Sequence, residues 1–122
     1  MSEAAARVAK VTKDLDIIAF ASAGELWSWL ADHHHTHPGV WVQLQKASSN
    51  RPSASFHDVL EAGIAFGWSE STRRAYDRTS YLQKFTPRRR PGTASQRNIA
   101  IADRLEAEGR MTPAGRRALR RS

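Results

Sequence analysis

Apolar residues recur in two spacings along this chain, every second position in some stretches and every third or fourth in others, and the change of spacing marks out its elements. Asp16–Phe20 clusters β-branched and aromatic residues and reads as a short strand. Ser22 and Glu25 then match a capping box, and the helix they open runs to about His34 with Leu26, Trp27 and Leu30 on its inward face. Pro38 and Gly39 stop it. In residues 40–46 Val40, Val42 and Leu44 alternate with Trp41, Gln43 and Gln45, which predicts a half-buried strand with Trp41 on the outer face, covered by a helix or a partner. After a polar loop over residues 47–53, Ser55 caps a second helix that buries Phe56, Leu60 and Ile64. Gly63 permits close packing there, and Gly67 suits the left-handed residue that ends a helix.

Residues 68–71 are expected to form a short strand, residues 72–79 a polar surface loop, and residues 81–85 a further strand with Tyr81, Gln83 and Phe85 on one side. Pro87 and Pro91 bracket the arginine run, so residues 88–93 are expected to be extended or turn-like. A helix follows over residues 95–108, with Ile101 and Leu105 inward and Arg104 placed to pair with Glu108. Gly109 ends it, and Thr112 with Pro113 starts a last short helix. The order implies an α+β fold: a small, mostly antiparallel sheet of three or four strands packed with about four helices in one compact domain. That domain spans residues 15–122, and residues 1–14 lack periodicity and read as a flexible leader.

Composition narrows the function classes. The chain has 122 residues and no cysteine, which excludes disulfides, thiolate metal sites and a cysteine nucleophile. No apolar segment approaches the roughly 20 residues needed to span a bilayer, and residues 1–13 have no secretory apolar core, so a cytoplasmic protein is expected. Charge is divided unevenly. Residues 1–61 hold five Lys/Arg against seven Asp/Glu, a net −2, whereas residues 62–122 hold fourteen against five, a net +9. A positive field confined to one half favours an anionic partner, protein or nucleic acid.

Several ordered motifs carry a family resemblance. Trp27-Ser28-Trp29-Leu30, Gly39-Val40-Trp41-Val42, Phe66-Gly67-Trp68, Phe85-Thr86-Pro87-Arg88, Ser95 with Asn98, and the run from Gly109 through Met111, Thr112 and Pro113 to Gly115 together resemble the YdeI/OmpD-associated, or bacteriocin-protection, family. The resemblance implies a role in tolerance of bacteriocin or antimicrobial-peptide stress and no established catalytic activity. Two positions depart from the family pattern: Ser69-Glu70 replaces its usual Ile-Asp, and Ala94 stands where a Trp is usual.

Trp68, Glu70, Lys84, Arg88 and Asn98 form the candidate ligand site, because an acid, two cations and an aromatic face suit an anionic or planar ligand. Arg73, Arg74, Arg78, Arg88, Arg89, Arg90 and Arg97, interleaved with Tyr76, Tyr81 and Phe85, form a candidate nucleic-acid or anion stripe. The run His33, His34, His35 and His37 sits at a helix end that does not fix metal-ligand geometry, so no metal is required. No phosphate loop, zincin motif or nucleophile elbow is present, and Glu70 with His57 could do acid–base work only if the fold brings them together. The expectation is a non-enzymatic binding or interaction protein without a cofactor, with nucleic-acid binding through Arg88–Arg90 as the alternative.

Overall fold

The computed structural model describes residues 6–9, 15–90, 92 and 94–121. Its elements in order are β1 (Ala6–Ala9), β2 (Asp16–Phe20), α1 (Ala23–His33), β3 (Val40–Gln45), α2 (Phe56–Phe66), β4 (Trp68–Ala75), β5 (Ser80–Pro87), α3 (Gln96–Ala107) and α4 (Pro113–Ala118). The strands make one sheet in the order β1-β2-β3-β5-β4. Three ladders are antiparallel, and β2 runs parallel to β3 because α1 carries the chain back between them. The α+β architecture and four helices match the sequence pattern. Within the segment expected as a leader, residues 6–9 pair with β2, and residues 1–5 and 10–14 lie outside the described residues.

Local chemistry sets the helix boundaries. Ser22, Ser55, Ser95 and Thr112 each accept a hydrogen bond from a backbone N–H three residues on, satisfying a donor that the first turn leaves open. Asp58 completes a capping box with Ser55, and Gly67 ends α2 with φ 78°, a conformation costly for other residues.

The core lies between the sheet and the helices. Ile18, Phe20, Val42, Leu44 and Phe85 from the strands meet Leu26, Leu30, Val59, Ile64 and Leu105 from the helices. The opposite face of the sheet holds a small second cluster of Ile17, Trp41 and Leu82, with Leu15 against it. Trp41 thus points away from the helices, as its parity predicts, yet only 4% of it is exposed. Within the chain it is covered by cations rather than by a helix: the Arg74 guanidinium lies 4.3 Å from the ring centroid and the Lys84 ammonium 5.8 Å.

The loop expected over residues 72–79 is a correction. β4 continues to Ala75 and pairs with β5 as far as Ala75 opposite Tyr81, leaving only a tight turn before Ser80. Its outer half is exposed on both faces, so hydrophobic alternation, the sign of a half-buried strand, is missing there. The ladder is irregular between Glu70 and Arg73, where three steps along β4 face two along β5, as in a β-bulge.

Candidate anion-binding site

The site is built where β4, β5 and α3 meet. Glu70 lies opposite Phe85 and so projects on the helix side of the sheet. Ser95 caps α3 by accepting the Asn98 backbone N–H at 3.2 Å, which places Arg97 and Asn98 in the first turn beside Glu70. Asn98 is 8% exposed, and its Oδ1 accepts from Arg97 Nε at 3.3 Å and Nη2 at 3.2 Å. The same Nη2 reaches Glu70 Oε2 at 3.5 Å. Arg88 enters from the end of β5, its backbone N–H donating to Gly67 O at 2.9 Å. Burial lowers the pKa of the Arg88 guanidinium from its ordinary value, and the Glu70 carboxylate pulls it back up. One carboxylate therefore steadies two guanidiniums, and Arg89 and Arg90 follow on exposed backbone.

Of the five candidate ligand residues, Glu70, Arg88 and Asn98 come together, and Arg97 joins them from the basic group. Trp68 does not. It is 1% exposed, its Nε1 donates to His34 O at 3.2 Å, and it packs against Trp29 and Phe85 as core. Lys84 does not either, because it neighbours Phe85 in β5 and therefore lies on the opposite sheet face, beside Trp41.

The basic stripe is divided in the same way. Arg73 lies over the Phe56 and Tyr81 rings, at 5.0 and 4.4 Å from their centroids, and its Nε donates to Gln83 Oε1 at 3.4 Å. Arg74 covers Trp41 on the other face. Arg78 sits in the β4–β5 turn, where its carbonyl accepts from Lys46 Nζ, and β5 separates it from Arg88–Arg90. The aromatic residues expected to interleave are engaged elsewhere: Phe85 is fully buried, Tyr81 lies under Arg73, and Tyr76 belongs to the Arg78 end.

The histidines are occupied locally. His33 and His34 place Nδ1 at 2.8 Å from Trp29 O and 2.7 Å from Leu30 O, closing the end of α1. His37 Nδ1 accepts the Gly39 N–H at 3.1 Å. Burial, and then the neighbouring His33, lower the His37 pKa from its ordinary value, against a smaller pull upward from Asp16. Among the described residues no group of three or more His, Asp or Glu could hold a metal ion, and no helix is long and apolar enough to cross a membrane. His57 lies within 3.7 Å of Glu61 on its own helix, while the ion-pair partner of Glu70 is Arg97.

Sequence reasoning passed over Arg120. It has φ 55°, the only positive φ outside glycine among the described residues, and its side chain crosses Gly92 so closely that a Cβ there would lie 3.3 Å from it. No local pattern signals this, because it depends on how α4 docks. The family described as Domain of unknown function (DUF8412) matches residues 18–118. The chain belongs to that family. Comparison with curated proteins and with solved structures returns no match.

Proposed function

We propose that this DUF8412 chain is a non-enzymatic binding protein for an anionic partner, and that its cellular role is tolerance of bacteriocin or antimicrobial-peptide stress, as its resemblance to the YdeI/OmpD-associated family implies. The observation that supports binding is the Glu70–Arg97–Asn98 network beside Arg88, which holds guanidiniums in place ahead of any ligand. Ordering the donors in advance lowers the entropy lost on binding, and a guanidinium offers a carboxylate or phosphate two parallel bonds. A chain at +7 repels cationic peptides, so protection acts through the anionic partner rather than by sequestering the toxin.

Replacing Arg88, Arg89 and Arg90 together by Ala tests the site. Polyanion affinity should fall at least tenfold at low salt, and unchanged affinity would remove these arginines from the interface. A strain lacking the protein should be more sensitive to bacteriocin; equal sensitivity would count against the role.

A further inference from the structure

The arginines beside Glu70 continue onto the C-terminal helix. Gly92 N–H donates to Ala118 O at 2.8 Å, and a Cβ on Gly67 would meet Ala114 O at 2.9 Å and the Ala118 Cβ at 3.2 Å. These contacts fasten α4 to the segment that follows β5. Arg120 lies across Gly92, and Arg117 is tied to it by the Arg120 N–H to Arg117 O bond at 3.1 Å. These contacts bring the backbone that carries Arg117 and Arg120 to the end of the molecule where Arg88, Arg89, Arg90 and Arg97 lie, with Glu70 acting on Arg88 and Arg97.

Four other arginines of this half are paired with acids, while Arg73 lies on the Phe56 and Tyr81 rings and Arg78 stands alone in the far turn. Arg104 pairs with Glu61 and Glu108, Arg110 with Glu108, Arg116 with Glu106, and Arg121 with Asp103 and Glu106. Among the described residues, Arg89, Arg117 and Arg120 make no ion pair, and all three are exposed. Self-repulsion makes such a grouping unfavourable in isolation, so an external polyanion is the natural counter-charge.

Its surroundings decide which polyanion. Single strands are held largely by stacking on aromatic side chains, and the nearby rings, Phe85 and Trp68, are both buried. Protein interfaces centre on apolar or aromatic anchors, whereas Tyr76 and Ile99 are the exposed large hydrophobics and Tyr76 sits in the distant turn. With Ile99, beside Asn98 in α3, the one exposed large apolar side chain near this end among the described residues, what remains is guanidinium chemistry, suited to closely spaced phosphates. We infer that this end of the molecule binds the phosphate backbone of duplex nucleic acid without reading its bases. The inference rests on the anion-binding reading above and names its ligand.

Fluorescence anisotropy with labelled duplexes of two unrelated sequences, titrated across salt, tests it on the full chain. Both duplexes should bind equally, with a log–log salt slope of about −4.5 if about five phosphates are neutralised. Replacing Arg117 and Arg120 by Ala should make that slope shallower by about 2. Replacing Lys46 and Arg78 by Ala at the far turn should leave it unchanged, and circular dichroism should show every variant folded. A preference for one sequence, tighter binding of the matching single strands, or no effect of the Arg117/Arg120 change would overturn the inference. Binding of polyglutamate or inorganic polyphosphate but not duplex, lost in the Arg88–Arg90 variant, would overturn it while sparing the anion site. Failure of every polyanion would sink both.

Discussion

Trp41 and Trp68 occupy opposite faces of one sheet and carry different obligations. Both are buried, yet Trp68 Nε1 has a carbonyl partner in His34 whereas Trp41 Nε1 has none among the described residues. Changing Trp68 to Phe removes a bond, strands a carbonyl and opens a void, so stability should fall by about 2 kcal/mol in urea denaturation. The same change at Trp41 deletes an unsatisfied donor along with some apolar area, and should cost less than about 1 kcal/mol. His37 makes the other residue-scale prediction. Its Nδ1 can accept from Gly39 only while neutral, and its pKa in the fold lies below the ordinary 6.5. The unfolded chain therefore takes up the proton first. This contribution to stability is whole above pH 6.5 and is lost as pH falls from there through the folded value. The urea midpoint should drop more between neutral and mildly acidic pH in the native protein than in a His37→Gln variant; equal drops would assign the loss to other groups.

Among the elements, α4 depends on one close approach. A Cβ on Gly115 would stand 2.3 Å from Ala65 O and 2.6 Å from Ile64 O, backbone atoms of α2 that cannot swing aside. Gly115→Ala should cost about 3 kcal/mol, at the upper end for overpacking, and detach α4 before the sheet unfolds. Gly109 has φ 71° but open space around it, so Gly109→Ala should cost only the left-handed backbone term, about 1–2 kcal/mol. Thermal melts of the two variants should rank them in that order. The helices were legible because each opens with a Ser or Thr whose side chain caps the first turn. The outer half of β4 was not, since a strand wet on both faces has no reason to alternate.

At the scale of the molecule, the arginines divide into those that hold the fold and those that crowd one end. Arg104→Ala leaves the mostly buried Glu61 carboxylate without its guanidinium and should lower the melting temperature. Replacing Arg89 and Arg117 by Ala should leave it level or slightly higher, because that change relieves repulsion at an exposed surface. An equal loss in both variants would mean that the second group is structural as well.

From its order of residues alone the chain determined the helices, their caps, the inward face of β3, the side shared by Tyr81, Gln83 and Phe85 in β5, the α+β class and the imbalance of charge. These follow from interactions within a few residues: backbone donors needing acceptors, and side chains falling at the period of their own element. Tertiary structure decided which charges meet. Lys84 and Phe85 are neighbours in sequence and face opposite ways, so Lys84 lies across the sheet from Glu70, whereas Trp68 shares the face of Glu70 but is sealed into the core. Arg97, Asn98 and Arg120 come to that end from helices that approach only after folding. A side chain's face can be read from its parity, but what stands across from it depends on which elements pack together, and long-range contacts set that.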